Sequence, residues 1–160
     1  MEQKTKIIAE KGKQEITITR EFDLPIELLF KAYTEAEFLE QWMGLKVIKL
    51  VNKNHGSFEF ETIREGRVVF KANGTIHQIK KNQNITRTFE MDNLLDGIRI
   101  EFLDFESITD KSSKLTMQMI YKSEKHRAEQ LKLPFANGLN MAHNRLQELF
   151  NNLNHQQNGK

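Results

Sequence analysis

The first clear pattern along the chain is an alternation that breaks. In ITITREF, Ile16, Ile18 and Phe22 fall on one side of an extended chain, and Thr17, Thr19 and Glu21 on the other. That period of two belongs to a half-buried strand. Arg20 falls on the apolar side, where a long side chain can run out to an edge. With the preceding KTKIIAE and Gly12 at the turn, the segment reads as a hairpin. After Phe22 the period becomes helical. Asp23 is a candidate cap, and Pro25 suits a first turn because the N–H it lacks is not needed there. Ile26, Leu29, Phe30 and Tyr33 follow at helical spacing. Thr34 to Glu37 reads T-x-x-E, a capping box that starts a second helix at once. Phe38, Leu39 and Trp42 form its apolar stripe, and Gly44 ends it.

A series of strands follows. VIKLV is the first; GSFEFETI then places Phe58 and Phe60 opposite Ser57, Glu59 and Glu61. Gly66 marks a turn into the long run RVVFKANGTIHQIKK, with a bulge expected at Asn73–Gly74. NITRTFEM alternates Ile85, Arg87, Phe89 and Met91 against Thr86, Thr88 and Glu90. A turn at Asp96–Gly97 leads to IRIEFLDF, and TDKSS turns into KLTMQMIY. Short strands joined by turns predict an antiparallel meander. Ser123 can cap SEKHRAEQLK, Pro134 interrupts the helical pattern, and a second helix is expected over 135–153. Its apolar side carries Leu139, Ala142, Leu146, Leu149 and Phe150.

These elements predict an α+β fold in which a curved antiparallel sheet wraps a long C-terminal helix. One domain is expected over residues 1–160, with fraying ends at 1–10 and 154–160. A helix is about 10 Å across. A sheet of about six or seven strands at roughly 4.8 Å spacing is much wider. The mismatch predicts a gap between the layers.

Composition narrows the function. The chain has 24 basic and 22 acidic residues, interspersed, for a net charge of +2. That balance argues against a nucleic-acid surface. Cysteine is absent, which excludes disulfides, thiolate metal sites and cysteine nucleophiles, and suits the cytoplasm. No apolar run has the length of a membrane span, and the N-terminus does not read as a signal peptide. His55, His77, His126, His143 and His155 show no H-x-x-x-H or H-E-x-x-H spacing, so no metal is expected. No serine sits in a G-x-S-x-G elbow, and no phosphate loop is present. No catalytic set and no cofactor are expected.

The stretch ITREFDLPIELLFKAYTEAEFLEQWMG resembles the signature of proteins similar to the C-terminal domain of the activator of heat-shock protein 90 ATPase. These form part of the START-like, SRPBCC or birch-pollen-allergen-like superfamily. HGSFEF resembles the family's G-x-[FY]-x-F strand, and ANGTIHQI its SG-x-Y-x-E-I strand. NGLNMAHNRLQELF resembles its GW-x-x-A-L-x-R-L helix. The resemblance runs from about Ile16 to Phe150 and implies a helix-grip fold with a hydrophobic cavity. Members of this family include small-molecule binders, co-chaperone-like proteins and stress proteins. Relatives in the wider superfamily are lipid carriers, cyclases or hydrolases.

Two positions depart from the family pattern. Arg87 stands where the family has an apolar residue, and His143 where its helix has leucine; Leu139 replaces a tryptophan, which leaves more room. Arg87 supplies a planar donor fork for a carboxylate, and His143 a group that titrates near neutral pH. Both can address a ligand in the cavity. The alternative for Arg87 is an ion pair or a solvated strand end, and for His143 a satisfied core position or the rim of the layer. Trp42, Phe58, Phe60, Phe70, Phe89, Phe102 and Met117 join them as candidate pocket residues, the alternative being ordinary core. The expected partner is a small hydrophobic or amphipathic ligand. A chaperone partner follows from the resemblance, and catalysis would require His143 as an accessible general base. The chain is expected to be a monomer or homodimer.

Overall fold

The computed structural model describes residues 4–92 and 97–158, with side chains placed through Leu153. The expected turn residue Asp96 lies outside the described residues, as do residues 1–3 and 159–160. Eight strands form one antiparallel sheet in the order β1-β2-β8-β7-β6-β5-β4-β3. They are β1 (Lys6–Ile8), β2 (Glu15–Phe22), β3 (Lys46–Leu50), β4 (Ser57–Arg64), β5 (Arg67–Lys80), β6 (Asn84–Asp92), β7 (Ile98–Thr109) and β8 (Ser112–Ile120). Two short helices, α1 (Ile26–Thr34) and α2 (Ala36–Met43), follow β2; α3 (Glu124–Leu131) and the long α4 (Phe135–Asn158) close the chain. This is the helix-grip arrangement. Every neighbouring pair in β3 to β8 is joined by a simple antiparallel connection, while β2 crosses to pair with β8.

Local chemistry explains most boundaries. Gly12 and Gly44 adopt positive φ at the first turn and at the end of α2. The Ser123 side chain accepts from the His126 N–H at 3.0 Å and caps α3. Pro134 separates α3 from α4 as expected. The capping expectations for the first two helices need correction. α1 starts with Pro25 as its cap, and the Asp23 backbone is held instead by Gln147, whose Oε1 accepts from the Asp23 N–H at 2.8 Å. Thr34 is still helical, so its hydroxyl donates back to the Phe30 carbonyl at 2.9 Å, and extended Glu35 starts α2.

The sheet bends over its inward face. Register shifts occur between Val47 and Lys49, Thr62 and Ile63, Ile76 and Gln78, and Ser107 and Thr109; such bulges increase local twist and bending. The bulge expected at Asn73–Gly74 therefore lies further along β5, at His77. Gly74 has a different role. A Cβ there would lie 2.0 Å from the Thr88 carbonyl oxygen and 2.5 Å from the Phe58 ring. The glycine lets β5 pass over a buried phenylalanine.

The core is formed by the inward residues of the sheet with α1, α2 and one side of α4. The Phe30 and Tyr33 rings meet Phe105 edge-on at 5.1 and 5.6 Å. Phe38 of α2 meets Phe150 of α4 at 5.1 Å. Arg20 does not run to an edge. It is 3% exposed, and its guanidinium donates to Asn140 and Asn144 of α4 at 3.2 and 2.9 Å, so it ties β2 to the helix.

Gly74→Ala should destabilise the fold by about 2–4 kcal/mol, the cost of forcing a methyl into occupied space. Gly12→Ala, which meets no atom within 4 Å but has φ +80, should cost less. Thermal unfolding of the two variants checks the order.

Candidate functional site

A cavity of about 330 Å³ lies between the sheet and the N-terminal half of α4. Its apolar wall comes from several elements. Phe60 of β4, Phe70 and Ala72 of β5, Phe89 and Met91 of β6, and Met117 and Met119 of β8 supply the sheet side. Phe135, Leu139 and Ala142 supply the helix side, and Trp42, Met43 and Leu45 the α2 end. Trp42 is fixed by its indole N–H, which donates to the Ala32 carbonyl at 2.8 Å, and by the Tyr33 ring at 5.0 Å.

One part of this wall is charged. Arg87 of β6 stands directly across from Glu101 of β7, and Phe89 directly across from Arg99. In an antiparallel pair such residues share a face. Glu101 Oε1 accepts from Arg87 Nε and Oε2 from Arg99 Nε, both at 2.8 Å. Arg99 Nη1 donates to Gln130 of α3 at 2.9 Å. The guanidinium of Arg87 lies over the Phe58 and Phe89 rings at 5.0 and 5.6 Å, and that of Arg99 over Phe89 at 4.4 Å. Glu101 is 1% exposed. Burial by itself would raise its pKa, but the charges and hydrogen bonds of Arg99 and Arg87 outweigh burial and hold it below the usual carboxylate range.

A second polar cluster is closed. His143 is fully buried, its Nδ1 is 2.7 Å from the Thr5 hydroxyl, and its Nε2 is 3.3 Å from the Tyr33 hydroxyl. Thr5 and Arg20 join this group through a 3.3 Å bond. Burial, reinforced by the Arg20 charge, lowers the His143 pKa from 6.5 to about 3. Burial also raises the pKa of Tyr33.

Of the residues expected to surround a ligand, Trp42, Phe60, Phe70, Arg87, Phe89, Met117 and Leu139 line the cavity. Three others do not. His143 is fully buried behind Tyr33 and Trp42 and is not part of the lining, which removes the accessible general base that reading required. Phe58 lies behind Arg87, as the ring under its guanidinium. Phe102 is on the outer face, because Glu101, Leu103 and Phe105 are the inward residues of β7. The sequence reading missed Arg99, Glu101 and Gln130. The alternation of Arg99, Glu101, Leu103 and Phe105 against Ile98, Ile100 and Phe102 was the available signal.

Among the described residues, no three metal-ligating side chains of His, Asp or Glu gather at one point. None of the described helices is long and apolar enough to cross a membrane.

Comparison with known proteins agrees with this architecture. Residues 23–151 match the family described as activator of Hsp90 ATPase homolog 1-like protein. The chain belongs to that family. Its fold is similar to protein Ms6760 from Mycobacterium smegmatis, with a TM-score of 0.80 at 17% identity over 91% of this chain and 96% of that one. A Staphylococcus epidermidis protein matches with a TM-score of 0.75 at 22% identity, covering 89% and 93% of the two chains. PFC0360w, an HSP90 activator from Plasmodium falciparum, matches with a TM-score of 0.59 at 19% identity, covering 82% and 92%. No curated protein matches the sequence.

The His143 environment makes stability pH-dependent. Above pH 6.5 the imidazole is neutral in both folded and unfolded chains and contributes no slope. As pH falls from 6.5 towards about 3, the unfolded chain takes up the proton and the folded one does not. Stability should therefore fall by about 1.4 kcal/mol per pH unit in that window from this group alone. Denaturant unfolding from pH 7 to pH 4 checks this, with the slope reduced by that amount in His143→Gln.

Proposed function

We propose that the protein binds a small apolar or amphipathic molecule in the cavity between the sheet and α4, without transforming it. The observation that carries this reading is the cavity itself: about 330 Å³, walled mainly by aromatic, methionine and aliphatic side chains with a compact polar patch. Ligand pockets of small-molecule binders have this composition and begin at about 300 Å³. A ligand burying roughly 200 Å² of apolar surface gains about 5 kcal/mol from that burial, before the costs of association are subtracted. The absence of cysteine suits a cytoplasmic setting for this binding.

A second reading is a co-chaperone-like surface. Family membership favours it, as do Ile63, Val68 and Val69, which are exposed together at the tip of β4 and β5. Such a patch suits protein contact.

The two readings separate in Leu139→Trp, which fills the cavity from the helix side and leaves the tip untouched. Trp42 is the single tryptophan of the wild-type chain and lines the cavity, so its fluorescence reports occupancy. A library of apolar and amphipathic compounds should yield ligands that shift Trp42 emission and raise the melting temperature of the wild type. Native mass spectrometry should show that Leu139→Trp retains none of them. Binding unchanged by the substitution would contradict the cavity reading. Co-purification with the host Hsp90, equal in wild type and variant, would support the surface reading.

A further inference from the structure

The charged patch says more about the ligand than the apolar wall does. Arg87 and Arg99 carry two positive charges, and Glu101 carries the one negative charge paired with them. The cluster therefore has an excess of one positive charge, with both Arg87 and Glu101 under one-tenth exposed. Arg145 also lines the cavity, but its side chain is at the exposed rim, with Nε donating to the Trp42 carbonyl at 3.0 Å. Solvent screens that charge, so it does not enter the buried balance.

The hydrogen bonds show the same imbalance. Glu101 uses both oxygens on the two Nε atoms. That geometry leaves the terminal nitrogens of both guanidinium groups beyond the carboxylate. Arg99 Nη1 finds Gln130. For Arg87, the one side-chain hydrogen bond among the described residues is that of Nε to Glu101, and Nη1 and Nη2 make none. Its guanidinium is instead held by the Phe58 and Phe89 rings, which fix its plane but accept no conventional hydrogen bond. The Arg87 nitrogens are not among the buried side-chain atoms left without a partner, and Arg87 lines the cavity, so its free donors open on that space, where an anion can meet them. A carboxylate matches a guanidinium edge with two parallel bonds.

We infer that the ligand is an apolar monocarboxylic acid, its carboxylate received by the terminal nitrogens of Arg87 and its body laid against Phe60, Phe89, Met117 and Leu139. The inference rests on the cavity-binding reading above. One charge is the natural limit, because the Glu101 carboxylate in the same cluster repels a second. Phosphate monoesters are correspondingly disfavoured. An alkyl chain and an aromatic ring both satisfy the apolar wall, so the shared head group defines the class.

Isothermal titration with matched pairs tests this: decanoate against decanamide, and 1-naphthaleneacetate against 1-naphthaleneacetamide, at pH 7. The acid of at least one pair should bind about 10- to 100-fold tighter than its amide, the size of one charge-assisted contact. Arg87→Met should remove that ratio while leaving amide binding, which shows that the cavity survives. Should Arg87→Met fail to fold, Arg99→Met serves instead, since it keeps the Arg87–Glu101 pair. It cancels the excess charge and should reduce the ratio. Glu101→Gln should raise it. Equal binding of acid and amide in the wild type, or a ratio unchanged in the arginine variants, would overturn the charge inference and leave the cavity reading standing. Tighter binding of decyl phosphate than of decanoate would overturn the single-charge limit. Binding of none of these probes would overturn both readings.

Discussion

The structure depends on a mismatch of widths. Eight strands at roughly 4.8 Å spacing make a sheet about 34 Å across, and a helix covers about 10 Å of it. The bulges bend the sheet around α4, α1 covers ground over β7 and β8, and α2 lies against β3 and α4. Aromatic contacts seal that region: Phe30 and Tyr33 on Phe105, and Phe38 on Phe150. Under the first turns of α4 there is no comparable filler, and the cavity stands there. Leu139 and Ala142 line it from the helix side and leave it open.

Two inward-facing arginines show how the same physical problem can end differently. Arg20 and Arg87 both stand among apolar residues on the concave face. Arg20 is met by the asparagine side chains of α4 and becomes a structural tie. His143 lies in that neighbourhood, has a partner at each ring nitrogen, and stays neutral. Arg87 is met by a carboxylate that it shares with Arg99. The first cluster ties β2 to α4 inside the packed fold. The second keeps a positive charge and donor groups at the cavity wall, the arrangement expected of a recognition site rather than of a support.

The strands and helices were legible because their periods are local. Ile16, Ile18 and Phe22, or Phe58 and Phe60, show their burial in their own spacing. Arg87 was legible as a charge on an apolar face for the same reason. Its partner was not, because the pairing of Arg87 with Glu101 depends on the register between two strands. Phe102 shows a sharper failure. Ile98, Ile100 and Phe102 look like the buried face of their strand, yet the inward phase is set by Leu103 and Phe105 and carries Arg99 and Glu101 with it. Hydrophobicity misleads where a site places charge inside. His143 was correctly put on the inner side of its helix, but that side spans both the cavity and the packed ground near β2. Helical spacing alone does not distinguish them. The capping box at Thr34 failed because α1 continues through that residue.

The central claim is that the space beside Arg87 is a binding chamber open to apolar acids. The methionines give the most direct test. Met43, Met91, Met117 and Met119 line the cavity, while Met141 is 51% exposed on α4 and is not among its walls. Methyl-labelled methionine spectra recorded during titration with 1-naphthaleneacetate should show saturable shifts at the lining methionines, with Met141 unmoved. Lining methyl signals that stay in place throughout the titration, or a response confined to Met141, would contradict the account.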